Sequence, residues 1–157
     1  MLIREMKRKD NQQVKQIIQS SLKSVGLAIE GTAYFDPQLN DLFDFYQKLP
    51  HGKYWVVEID QKVVGGIGIA PFDEKAKICE LQKLYLKPEV QGLGIANLLM
   101  NTALYFASEY YDQCYLETRK ELAAACKLYE KFGFQSLSTP LEGSEHSAMD
   151  IWYIKKL

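Results

Sequence analysis

The chain has 157 residues, 47% of them hydrophobic and 25% charged, with a formal net charge of −1. This length and composition predict one globular domain, residues 1–157, with a sizeable core, and exclude a disordered or fibrous chain. The balanced charge, with no basic run, excludes a nucleic-acid footprint, and no apolar stretch is long enough to span a membrane.

The first residues, Met1 to Gln13, contain no apolar leader segment. Leu2 to Glu5 reads as an edge strand. Asp10 with Gln13 three residues on resembles a capping box, and Val14, Ile17, Ile18 and Leu22 then recur at helical period up to Gly26. The segment from Ala28 to Tyr46 holds Glu30, Asp36, Asp41 and Asp44, five aromatic residues, and no Lys or Arg. Its second half, from Pro37, predicts a short helix burying Leu39, Leu42, Phe43 and Tyr46.

Tyr54–Ile59 and Lys62–Ile69 flank Asp60-Gln61 as a hairpin. Gly65, Gly66 and Gly68 invite a phosphate-loop reading. Pro71 follows and no helix starts there, so a bulged or closely packed strand is the better account. A strand over Lys77–Leu86 precedes a helix running to about Tyr111. A strand over Cys114–Thr118, a helix over Glu121–Lys131 capped by Gly133, and strands near Phe134–Leu137 and Ala148–Ile154 complete the chain. The element order is that of a mixed α/β domain with a central sheet. Cys79, Cys114 and Cys126 are odd in number and have no metal-ligand spacing, which predicts reduced thiols, a cytoplasmic location and no metal.

The chemistry concentrates between Ile78 and Met100. A strand runs into a turn at Pro88-Glu89, then a glycine loop, Gln91-Gly92-Leu93-Gly94-Ile95-Ala96, then a helix with Ile95, Leu98, Leu99, Thr102 and Phe106 on one face. A glycine loop opening a helix aims unpaired N–H groups at one spot, which suits a phosphate. A Walker loop is excluded because Ile95-Ala96, not Lys-Ser/Thr, follows Gly94. A dinucleotide fingerprint is excluded by Asn97 at the third glycine position.

Gln91-x-x-Gly94-x-Ala96 after Glu-Leu-x-x-Leu-Tyr-Leu resembles the acyl-CoA loop of the GNAT superfamily of acetyl-CoA-dependent N-acetyltransferases. A second block, Ala125 to Phe134, resembles the family's late helix, with a Leu-Tyr pair followed by Gly-Phe. The resemblance covers nearly the whole chain. It implies a central mixed sheet of about six to seven strands flanked by about four helices, and acetyl-CoA as co-substrate. The Gln91–Ala96 loop would hold the pyrophosphate, and the strand edge at Leu84, Tyr85 and Leu86 the pantetheine arm. Tyr129, in the Leu-Tyr pair, is implied as the phenol that protonates the leaving thiolate. Leu122 stands where the family often has an Asn.

A base must take the ammonium proton of the acceptor. Glu80, alone in an apolar strand, is the candidate, and Glu117 is its competitor. The expected acceptor is a primary amine on a small molecule or a protein amino group, attacking directly in a ternary complex. The alternative is a CoA-binding sensor of the same fold with little turnover. A homodimer is carried over as a common arrangement of the superfamily. The four acids between Ala28 and Tyr46 suggest either an acidic wall that attracts a cationic amine or a solvated helix face. Lys127 and Lys131 read as solvated, and His146 as a loop residue.

Overall fold

A computed structural model describes residues 1–157. The elements are β1 (Leu2–Glu5), α1 (Asn11–Ser24), α2 (Leu42–Gln47), β2 (Lys53–Ile59), β3 (Lys62–Asp73), β4 (Ile78–Leu86), α3 (Ile95–Tyr110), β5 (Gln113–Thr118), α4 (Ala123–Lys131), β6 (Gln135–Leu137) and β7 (Ile151–Lys156). The seven strands form one sheet in the order β1-β2-β3-β4-β5-β7-β6. Only β4 and β5 run parallel; every other neighbouring pair is antiparallel.

The alternation along β2 sends side chains to two separate cores. Tyr54 and Val56 join α1, with its buried Val14, Ile17, Ile18 and Leu22, on one face. Trp55 and Val57 join α3 and Tyr129 of α4 on the other. Along α3 the buried positions are Ile95, Leu99, Met100, Ala103 and Ala107. This differs from the expected stripe: Leu98 is 43% exposed, and Thr102 lies outside the core and donates to the Leu98 carbonyl. Two alanines let the helix lie close to the sheet, and their small side chains weaken the hydropathy signal that would have revealed the true face.

The hairpin turn is tight because Asp60 and Gln61 both adopt positive φ, the two-residue turn that matches strand twist. The three glycines of β3 are a packing requirement. A Cβ on Gly66 would lie 2.4 Å from the Tyr54 ring, and one on Gly68 2.5 Å from the Tyr46 hydroxyl. Opposite them β4 bulges: Gly66 pairs with Tyr85 and Gly68 with Gln82, so Lys83 and Leu84 together face only Ile67. Lys83 takes φ +52, and its carbonyl accepts a hydrogen bond from Tyr54 at 2.8 Å.

Asp10 does not cap α1 through its side chain. Its carboxylate, 1% exposed, accepts from the Arg4 guanidinium at 2.8 and 3.0 Å and from the Lys7 N–H at 2.7 Å. Gln13, the presumed reciprocal cap, accepts instead from Val63 N–H and ties α1 to β3. A buried charge with a guanidinium in reach is worth more in that pairing than as a helix cap, where water can substitute for it.

Burial pushes the Asp10 carboxyl up, but Arg4 and the Lys7 N–H outweigh it and hold it below the usual carboxylate range. Its contribution to stability is therefore present above the unfolded value of about 3.9 and is lost as pH falls through the lower folded value. Asp10→Ala is expected to cost about 3 kcal/mol in urea melts at pH 7. The gap to the wild-type chain should shrink toward pH 3. A gap of equal size at both pH values would assign the loss to packing alone.

Candidate active site

The site is built where β4 and β5 part. They pair in parallel over three positions only, Ile78 with Gln113, Cys79 with Cys114 and Glu80 with Tyr115. Beyond that point β4 continues to Leu86 and β5 to Thr118 without pairing, so β4 offers an unpaired edge to the gap. A cleft of about 1110 Å³ occupies it. Leu84, Tyr85 and Leu86 border the cleft, as do Gln91, Gly92, Gly94, Ile95 and Ala96 of the loop. Leu93 does not: its side chain is 67% exposed on the outside of the loop.

The loop follows a 3₁₀ turn at Pro88–Val90. Gly92 and Gly94 both take positive φ, +77 and +79, and a Cβ at either would meet open space. The conformation, not crowding, calls for glycine there. From Gly92 to Asn97 no backbone N–H finds a backbone acceptor, and Leu98 reaches the Gly94 carbonyl only at 3.4 Å. Gly94, the N-cap, has no side chain to fill the role. These six donors at the positive end of a 16-residue helix fit a diphosphate and leave room for it. The Gln91 side chain folds back to donate to the Leu86 carbonyl at 3.1 Å, which fixes the loop to the end of β4.

Tyr129 lies on α4 across the cleft, its ring buried against Phe134 and Tyr153. The hydroxyl hydrogen-bonds to no protein group, and burial pushes the phenol well above its ordinary pKa, with Tyr85 and Cys126 adding to the rise. It stays protonated throughout the neutral range. Leu122 precedes α4, borders the cleft and packs toward the α1 core, so no amide stands at that position. Lys131 donates to Asn97 at 2.8 Å and Lys127 is exposed.

The two candidate carboxylates behave differently. Glu80 stands at the last paired position of β4, outside the wall of the main cleft. It accepts from Gln82 at 2.5 Å, and Gln82 in turn accepts from the Tyr46 hydroxyl at 2.7 Å. Burial lifts its pKa; the Gln82 bond opposes the rise and the Glu117 charge adds to it. Glu117 does border the cleft. One of its oxygens accepts from the Tyr115 hydroxyl at 2.7 Å and from Ser144.

Sequence reading missed one cluster. Asp36 accepts from Lys83 at 3.1 Å and meets His146 Nε2 at 2.9 and 3.0 Å. The Asp36 hydrogen bond raises the His146 pKa against the opposing effect of burial. The other acids of the Ala28–Tyr46 segment do not form a wall. Asp41 accepts from the Asp44 N–H at the start of α2 and pairs with Arg8, and Asp44 pairs with Lys48. No run of residues signals the Asp36 cluster, because His146 lies 110 positions away in sequence.

A profile of the acetyltransferase (GNAT) family matches residues 17–134. The chain is 36% identical, over 99% of its length, to the uncharacterized N-acetyltransferase YjgM of Escherichia coli K12, and covers 95% of that protein. Among solved structures, a GNAT acetyltransferase from Staphylococcus aureus Mu50 superimposes with a TM-score of 0.87 at 21% identity, over 99% of this chain and 98% of the other. A PaiA N-acetyltransferase from Thermoplasma acidophilum in complex with coenzyme A superimposes with a TM-score of 0.76 at 21% identity, with the same coverage.

A carboxyl whose folded pKa is raised weakens the fold as pH climbs from the unfolded value toward the folded one. Glu80→Gln should therefore melt at a higher temperature than wild type at pH 8, and the difference should vanish below about pH 4. An unchanged melting temperature at pH 8 would show that ionised Glu80 carries no burial penalty.

Proposed function

This chain belongs to the GNAT acetyltransferase family, and on that premise we propose that it moves an acetyl group from acetyl-CoA to a primary amine by direct attack within a ternary complex. The observation that carries the reading is the run of unpaired amides from Gly92 to Asn97, set at the mouth of a cleft whose far wall holds a protonated, unpartnered tyrosine. In this reading residues 1–157 act as one acetyltransferase domain. The acceptor is a small-molecule amine or a protein amino group.

Acetyl-CoA supplies the activated acyl carbonyl. The Gly92–Asn97 amides bind its diphosphate, and the unpaired edge of β4 at Leu84, Tyr85 and Leu86 takes the amides of its arm as a neighbouring strand would. Glu80 accepts the proton that the ammonium must shed before attack, directly or through a water. Its raised pKa makes it a stronger base than an ordinary carboxylate. The Tyr129 hydroxyl donates to the departing thiolate, whose conjugate acid has a pKa of about 8.5. Of the residues named here, all but Glu80 and Leu93 border the chain's own cleft. A reducing, cytoplasmic setting belongs to this reading on the odd number and scattered spacing of the three cysteines.

Thiol release from acetyl-CoA, measured with a panel of amines, tests the activity directly. Tyr129→Phe keeps the ring packing and removes the hydroxyl. The expected result is a fall in kcat of about 10²-fold with little change in KM for acetyl-CoA. An unaffected kcat would make Tyr129 a core residue only.

Gly94→Glu places a negative charge in the open space beside the loop and forces a side chain into a left-handed backbone conformation. Calorimetry on the folded variant should detect no CoA binding. Retained affinity would move the diphosphate elsewhere.

A further inference from the structure

Among all buried side-chain polar atoms, one has no hydrogen-bond partner: Oε1 of Glu117. The other oxygen of that carboxylate is held by Tyr115 and Ser144, so the group is fixed while one oxygen stays free. A buried carboxylate oxygen accepts and cannot donate, so only a donor, and best a cationic one, satisfies it. Glu117 borders the cleft.

The opposite charge stands on the other bank. Lys83 also borders the cleft, and its side chain is 3% exposed. Its ammonium makes one ion pair, to Asp36, and Asp36 shares its single negative charge with His146. With His146 protonated the three groups carry one positive charge in excess, and the Glu80 carboxylate also acts on both cations. The lysine is held there at a conformational cost, at φ +52 in the β4 bulge, with its carbonyl clamped by Tyr54.

The two poles flank the same gap. Glu117 lies two residues past the last β4–β5 pair on one strand and Lys83 three past it on the other. One loop touches both clusters, through Ser144 on Glu117 and His146 on Asp36. The loop positions that touch the two clusters, Ser144 and His146, are therefore at most about 7 Å apart along the chain.

We propose that the acceptor is a zwitterion, a small primary amine that also bears a carboxylate, with Glu117 Oε1 receiving its ammonium and Lys83 Nζ its carboxylate. This rests on the acetyl-transfer reading above and names its substrate class. A diamine is disfavoured, because its second cation would lie against Lys83.

The test compares free α-amino acids, their carboxamides and 1,4-diaminobutane as acceptors for the wild-type protein, by thiol release from acetyl-CoA. The amino acids should exceed both other classes in kcat/KM by about tenfold or more. Lys83→Met should compress the acid-to-amide ratio to below about threefold, whereas Glu117→Gln should raise KM for both and preserve the ratio. If Lys83→Met fails to fold by circular dichroism, the wild-type ranking still decides. Amides or the diamine matching or exceeding the amino acids would overturn the zwitterion while leaving acetyl transfer intact. CoA binding by calorimetry without turnover of any amine would overturn the transferase reading, and the zwitterion with it.

Discussion

The separation of β4 from β5 after Glu80 and Tyr115 is the constraint on which the rest of this molecule depends. A parallel pair that continued would satisfy its backbone groups and close the sheet. By stopping after three positions, the pair leaves one strand edge unpaired inside the domain. Such an edge is costly unless something else pairs with it, and the cleft beside it provides the room. The two helices that border the opening complete the geometry. α3 starts at the end of β4 and brings its free amides to the mouth, while α4 brings Tyr129 to the opposite wall.

The tyrosines of the α1 face support this opening from behind. Tyr54 clamps the Lys83 carbonyl at the bulge, and Tyr46 holds Gln82, which holds Glu80. Their rings sit where Gly66 and Gly68 leave space on β3. The glycines of one strand thus make room for aromatic residues that fix the polar groups of the next.

Much of this was legible in the residues. The glycine loop, its helix and the α1 core face follow from local spacing, and the crowding at Gly65–Gly68 follows from Pro71 and the absence of a helix after it. What escaped depends on contacts between distant segments. Asp10 looked like a cap because its neighbours in sequence suit one, but in space its carboxylate is held by the Arg4 guanidinium, which also pairs with Glu58. The Asp36–Lys83–His146 cluster joins three segments that share no motif. The acids near it were countable, but their partners, Arg8 and Lys48 among them, were not visible until the chain was folded. The buried face of α3 was hidden by Ala103 and Ala107, which are fully buried yet weigh little in any hydropathy pattern.

On the proposed reading, the bare start of α3 also makes the folded state sensitive to ligand concentration. Its amides are arranged only in the folded chain, so an anion seated on them binds that state and not the unfolded one. By mass action, a ligand present at 100 times its dissociation constant adds about 2.7 kcal/mol to stability. That is a sizeable fraction of what holds an ordinary domain together. A protein of this design is therefore sturdier when its ligand pool is full and more open to unfolding and proteolysis when the pool is drained. Its abundance would then follow the supply of the molecule it consumes, with no separate regulatory site.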